Sequence, residues 1–453
     1  MFPFHGIMNS LIGVVLFFML TTIGLHYSNT WYAAFLPISD SNSYDNTGSR
    51  YNVSRILTPE YTLDLAAYQS YSPLFLSTTF ALAYGLSFAA ILALVTHTIL
   101  FHGQEIWTRT KLSMGEEPDV HTKMMRKYKE VPAWWYALAF LGVLGIALAS
   151  VLAFPTHLSW WAFFISLAIS LVFSVPIGMI QAITNIQLGL NVITEFIIGY
   201  MQPGRPIAMM IFKTYGYITM VQGLAFAQDL KLGHYMKVPP RVMFSGQVIA
   251  TIWSCFVQVA VLNWAFGSIE DICDQKNKQH YSCPGGRVFF NASVIWGLIG
   301  PARIFSAGEV YSNLLYFFIA GALGPPIFYF LARAFPKSNL RYVNVPLIFG
   351  GSGAIPPATT INYTTWAAVG FVFNKFIKNK YRGWWSHYNY ITSAGLDTGL
   401  AISTIIIFLT LQLTNQDYPN WWGNNVVGST LEANFAAVQQ TVPDGHIFGP
   451  SKW

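Results

Sequence analysis

Residues 185–241 read NIQLGLNVITEFIIGYMQPGRPIAMMIFKTYGYITMVQGLAFAQDLKLGHYMKVPPR. Two apolar runs, 186–202 and 207–227, flank the break Pro203-Gly204-Arg205-Pro206, and each run carries one ionisable residue near its middle, Glu195 and Lys213. A charge deep in hydrocarbon costs roughly 2.5–3.5 kcal/mol on insertion scales, so it faces a partner or a water-filled cavity. The prolines of the break cannot continue a helix. Non-helical backbone at membrane depth is tolerated only inside protein or beside a cavity. Interrupted helices with buried ionisable groups form the binding-site pattern of secondary transporters.

Composition carries the same reading along the rest of the chain. Of 453 residues, 53% are hydrophobic and 10% charged, against ~25% charged in soluble domains. Acidic and basic residues are absent from 2–39, 65–104, 131–194 and 242–269, and about 20 apolar residues span a bilayer. The expected fold is all-α: a polytopic transmembrane helical bundle with broken or re-entrant helices, forming one membrane domain over 1–453. The first twenty residues lack a basic region and a small-residue cleavage site, so they read as a membrane helix rather than a signal peptide. A net charge of +6 fits the Lys/Arg excess of cytosolic loops and gives no reason to expect nucleic-acid binding. No metal or cofactor is expected, since no His/Cys/Asp cluster has ligand spacing.

Taken in order, helices are expected over 7–25, 73–101, 134–154, 160–182 with a kink at Pro176, the broken pair, 242–266, 310–332 and 390–413. The segment 294–306 reads as a half helix, and 345–376 is interrupted by Gly350-Gly-Ser-Gly353 and Pro356-Pro357. Loop 102–132 holds the richest Lys/Arg cluster and is placed in the cytosol. Loops 26–72 and 267–293 then lie outside, where Asn52-Val-Ser54 and Asn291-Ala-Ser293 are glycosylation candidates. Cys273 and Cys283 share the second of these loops and are expected to form a disulfide there, while Cys255 reads as core. Counting crossings puts the tail outside.

Several separated motifs carry a family resemblance. They are Tyr71-Ser-Pro73, Gly199-Tyr-Met-Gln-Pro-Gly-Arg-Pro206, Phe212-Lys-Thr-Tyr-Gly216, Asp229-Leu-Lys-Leu-Gly-His234, Lys237-Val-Pro-Pro-Arg241 and Trp384-Trp385-Ser-His-Tyr-Asn-Tyr390. The sequence resembles the oligopeptide transporter family, in particular its fungal peptide-transporting branch. Because the family's amino-terminal motifs are missing, it resembles the carboxy-terminal portion of such a transporter. The resemblance implies proton-coupled symport of tri- to pentapeptides, glutathione included, by alternating access. Its implied partners are short peptides, protons and the lipid bilayer, in the plasma membrane or an endomembrane. Two alternatives stay open: metal-chelate uptake as in the yellow-stripe-like branch, and a truncated, non-transporting membrane protein. The oligomeric state is open.

Individual residues admit two readings each. Glu195 is a proton carrier or a structural partner of Lys213; Lys213 holds a peptide carboxylate or neutralises Glu195. Arg205 binds an anionic group beside the helix start at Pro206 or snorkels to the interface. Asn191, on the same run as Glu195, joins the pathway candidates. Asp397 is a second protonatable site or an interfacial first-turn residue. Lys237, Pro239, Pro240 and Arg241 form a rigid cytosolic turn or a ligand site. His97 and His102 are a proton relay or interfacial residues. An enzyme is not expected: Ala394-Gly-Leu-Asp397 departs from the Gly-x-Gly-Asp turn of intramembrane aspartyl proteases, and no His-Glu-x-x-His occurs.

Overall fold

The structure, a computed structural model, describes residues 2–112, 120–273, 283–414, 416, 419–431 and 437–453. In chain order its principal helices are α1 (Phe4–Tyr27), α2 (Thr78–Thr108), α3 (Ala133–Ala153) and α4 (Trp160–Thr184). There follow α5 (Asn191–Met201), α6 (206–235, with a π-turn at Thr214–Ile218), α7 (Pro240–Ser268) and α8 (284–299). The last four are α9 (Ser312–Ala334), α10 (Val345–Gly350), α11 (Thr360–Phe371) and α12 (Arg382–Gln412). Among the described residues, seven of these helices, α1–α4, α7, α9 and α12, are long and apolar enough to cross a membrane.

The chain divides into two compact units. Unit 1 comprises Met1–Leu100, Pro176–Pro206 and Pro284–Trp453; unit 2 comprises Phe101–Val175 and Ile207–Cys283. The chain leaves one unit for the other at local irregularities. They are the π-turn Thr98–His102, the proline inside α4, the Pro203–Pro206 break and the step from Cys283 to Pro284.

Small residues set the packing of unit 1. Gly321 of α9 lies so close to the Ala89 backbone of α2 that a Cβ would overlap it, and Gly13 of α1 meets the Ile348 carbonyl of α10 in the same way. Without a hydrophobic driving force between helices in lipid, such close approach is what brings backbones into van der Waals contact. The helix starts are capped locally. Ser77 Oγ accepts from Phe80 N–H at 3.3 Å ahead of α2, and Asn344 Oδ1 accepts from Leu347 N–H at 3.3 Å ahead of α10, each satisfying an orphan donor. The interruption expected in 345–376 is present, as the irregular stretch between α10 and α11. It brings Ile355 into a cluster with Val14, Phe18, Leu82 and Leu86.

Four sequence expectations are corrected. The stretch 26–72 is a folded cap rather than an exposed loop. Asp45 Oδ1 accepts from Thr47 and Ser49 N–H at 2.9 and 3.1 Å. Strands β1 (Ser43–Tyr44) and β2 (Phe75–Leu76) pair antiparallel, and Leu36, Tyr44 and Phe75 form a buried cluster. Part of the expected loop 102–132 is helical, because α2 runs on to Thr108 and a short helix occupies Val120–Met125; 113–119 lie outside the described residues. The first run of the broken pair is helical only from Asn191. Cys255 is exposed, since α7 presents its apolar side chains outward.

Unit 2 holds α3, α6 and α7 together with the first part of α4. Phe163 of α4 stands edge-on to Tyr215 of α6, with ring centroids 4.8 Å apart, and Tyr136 of α3 meets Phe244 of α7 at 4.8 Å.

Candidate functional site

The chain approaches Glu195 through residues 186–190, where Ile186, Leu188 and Leu190 are buried and alternate with Gln187 and the exposed Gly189. That period of two belongs to extended backbone. Asn185 ahead of it takes a left-handed φ of 57°, which ends α4 and turns the chain. Helix α5 then has only eleven residues, about half the length needed to cross a bilayer. Glu195 lies in its second turn with 0% exposure.

Around α5 unit 1 assembles an aromatic layer from four other segments. Tyr84 and Phe88 come from α2, Trp296 from α8, Phe305 from the loop after it and Phe318 from α9. Tyr84 lies within electrostatic reach of Glu195 and stands edge-on to Trp296, 5.1 Å between ring centroids. Trp296 stacks on Phe305 at 4.8 Å and 14°. Phe196, next to Glu195, meets Phe88 at 5.4 Å and Phe318 at 5.8 Å, and Phe88 stacks on Phe318 at 4.5 Å. These offset and edge-on geometries are the favoured ones for aromatic pairs.

The layer closes where two half helices meet. The expected half helix at 294–306 starts earlier, at Pro284, and ends at Ile299, where Gly300 takes φ 87°. Gly199 of α5 faces its end. The last carbonyls of a helix lack internal partners and carry partial negative charge; here Arg303 Nη1 donates to Ile299 O at 2.8 Å. The Gly204 carbonyl in the broken segment accepts from Leu63 N–H of the cap at 3.2 Å. Gly204 has φ 78°, a backbone conformation that favours glycine.

The remaining sequence candidates fall in different places. Asn191 is half-buried at the start of α5, and Arg205 and Pro203 are exposed in the break, with Pro206 opening α6. Lys213 is buried in unit 2, just before the π-turn of α6. Lys237 Nζ donates to His121 Nδ1 at 2.6 Å, and Arg241 Nε donates to Glu130 O at 3.0 Å. Pro239 and Pro240 open α7 between them, so this motif is a braced turn. Asp397 is not a first-turn residue: α12 begins at Arg382, roughly four turns earlier, and Asp397 is exposed. Cys273 and Cys283 are joined in a disulfide with Cα atoms 4.8 Å apart. Asn52 is exposed. Asn291 is not available to a glycan: it is buried in α8, its Nδ2 donating to Ser41 O at 2.9 Å and its Oδ1 accepting from Ser43 Oγ at 3.0 Å. Among the described residues no cluster of three His, Cys, Asp or Glu side chains could hold a metal ion.

The aromatic layer itself was not legible in the sequence, because its members are scattered from residue 84 to 318 in a chain where 16% of residues are aromatic. The extended approach to Glu195, expected as part of one apolar run, carries a signal of its own: Ile186-Gln-Leu-Gly-Leu190 alternates apolar with polar or small residues, a strand-like period.

Residues 1–411 match the family model described as OPT oligopeptide transporter protein. The chain belongs to the OPT family. It is 52% identical over 455 aligned positions to sexual differentiation process protein isp4 of Schizosaccharomyces pombe, covering 100% of this chain and 58% of that protein. It is 41% identical to Glutathione transporter 1 of the same yeast, covering 100% and 53% of the two chains. Against Oligopeptide transporter 1 of Saccharomyces cerevisiae the identity is 40%, with 100% and 56% covered. The chain thus spans just over half the length of these curated OPT relatives. No solved structure matches it. The OPT family is one of transporters rather than enzymes, and two of these relatives are named as transporters; the seven apolar helices make this chain an integral membrane protein.

Proposed function

We propose that this chain serves proton-coupled transport of short peptides across the membrane, with Glu195 as the proton-bearing group. The observation that carries this reading is a fully buried carboxylate on a half helix, with Tyr84 within its electrostatic reach. Gaining or losing a proton changes how a buried carboxyl interacts with its neighbours, which ties protonation to a change of conformation. The peptide class is supported by the OPT relatives named for oligopeptides and glutathione.

In this reading proton binding at Glu195 biases which side of the membrane the half-helix site faces. Arg205 supplies positive charge for a peptide carboxylate, and Asn191 supplies hydrogen bonding at the start of α5. Alternating access then follows from one set of helices moving against another around a fixed site. The plasma membrane is the proposed location.

The test is uptake by the chain reconstituted in vesicles under an imposed pH gradient. Accumulation of a labelled tripeptide or of glutathione, collapsing with a protonophore, is the expected result. Gradient-independent equilibration, or uptake of iron chelates in preference to peptides, would contradict it.

A further inference from the structure

Residues 437–453 lie after the last membrane helix and beyond the family match, yet they fold back onto the cap of unit 1. Gln439 and Gln440 N–H both donate to Ala34 O, at 3.0 and 2.9 Å, and Gln439 Nε2 donates to His26 O at 3.2 Å. Phe448 is buried. It stacks on Phe35 at 4.8 Å and 12°, lies 4.6 Å from Phe75, and its N–H donates to Asn46 O at 2.9 Å. Gly449 follows with φ 102°, and a Cβ there would stand 2.6 Å from the Phe75 ring. The Trp453 indole N–H donates to Tyr68 O at 3.0 Å.

The cap in turn holds the α8 half helix at its middle and the chain beyond its end. At mid-helix Asn291 is bonded to Ser41 and Ser43. Beyond its end, Tyr311 Oη accepts from Leu76 N–H at 2.8 Å, and Val310 packs against the cluster of Leu36, Tyr44, Phe75 and Phe448. The Tyr311 ring lies 6.4 Å from Phe305, which stacks on Trp296. A continuous series of contacts therefore runs from Phe448 and Phe75 through the Leu76 N–H to Tyr311, and on through Phe305 to the aromatic layer.

We propose that residues 437–453 are a latch. They lie on the same face of the membrane as Asn52, and by clamping the cap they hold the loop 300–311 and the Trp296 half helix in place. The alternative is a passive surface segment whose release leaves the half helix untouched. A series of contacts does not by itself establish coupling, so the test must read the far end. The inference is independent of the transport reading, and its readouts do not involve uptake.

Hydrogen exchange on the purified 453-residue chain decides between them. Phe448→Ala is expected to raise exchange at least tenfold in 300–311 and in the last turn of α8, with α9 unchanged. Phe448→Leu, which keeps an apolar filler but loses the stacking, should give a smaller rise. Gly449→Ala, which drives a methyl into the Phe75 ring, should act in the same direction and carries the test if Phe448→Ala does not fold. Sidedness is read with Lys452→Cys in a Cys255→Ser background, using an impermeant maleimide on intact cells. Labelling on the face that receives the Asn52 glycan is expected. A rise in exchange confined to 437–453, or labelling on the opposite face, would overturn the latch.

Discussion

Gly199 and Pro301 are in closer contact than any side chain at position 199 would allow: a Cβ there would stand 2.5 Å from the proline ring and 2.6 Å from the Trp296 carbonyl oxygen. This contact fixes the separation of the two half helices and, through Trp296, the aromatic layer beside Glu195. Both neighbours are backbone or ring atoms, so nothing at the contact can swing aside. Overpacking of this kind costs typically about 1–3 kcal/mol.

Gly199→Ala is therefore expected to lower thermal stability in detergent by a measurable step. Gly223→Ala, on α6 where a Cβ meets nothing within 4 Å, should be neutral or slightly stabilising, as Ala is the better helix former. Equal behaviour of the two variants would remove the close contact from the description of the site.

The two sequons should behave differently. Asn52 is exposed and Asn291 has its amide committed to the cap, so Asn52→Gln should abolish any glycan shift on a gel and Asn291→Gln should leave it unchanged. Asn291→Gln should instead destabilise the protein by about 1–3 kcal/mol, because buried partners in Ser41 and Ser43 lose their bonds. A glycan lost only on substituting Asn291 would contradict the buried position.

Cys273 and Cys283 should resist alkylation until reductant is added, whereas Cys255, exposed on α7, should react without it under denaturing conditions. Three reactive thiols in the non-reduced chain would contradict the bond.

Glu309, in the loop that follows α8, provides a pH test outside the membrane helices. Burial raises its carboxyl above the ordinary range, and the nearby Arg303 only partly opposes this. A raised folded value means that folding is favoured while the group is protonated and that this contribution is lost as pH rises through the raised value. Glu309→Gln should therefore melt at a higher temperature than the parent at pH 8, the gain shrinking to nothing near pH 4. A gain that grew towards acid pH would reverse the sign and the assignment.

The long helices were readable in the sequence because their ends are chemically marked. For α3, Pro132 precedes the Trp134-Trp135-Tyr136 belt; for α4, Trp160-Trp161 opens the run; both then stay free of charge to their ends. Helix α12 starts earlier than the sequence suggests because Trp384-Trp385-Ser-His-Tyr-Asn389 reads as a polar entry, although none of those residues breaks a helix. The cap differs from its sequence expectation for a related reason. Asp40, Asp45, Ser72 and Ser77 look solvated by composition, but their oxygens accept from neighbouring backbone and side-chain donors, and that satisfaction depends on contacts up to 37 residues apart. Glu195 stood out as an isolated carboxylate in an apolar run. Its surroundings did not, because Tyr84 comes within its electrostatic reach, and Trp296 and Phe305 against Tyr84, only after α2, α5 and α8 have packed.

The most direct test of Glu195 is proton-driven peptide accumulation by Glu195→Gln measured beside peptide exchange under no gradient. The amide keeps the shape and some of the hydrogen bonding of the side chain but cannot ionise, so accumulation should fall to the level of equilibration while exchange persists. Arg205→Ala should instead weaken peptide binding in both measurements. Gradient-driven accumulation by Glu195→Gln at the parental level would contradict the assignment of the coupling proton to Glu195.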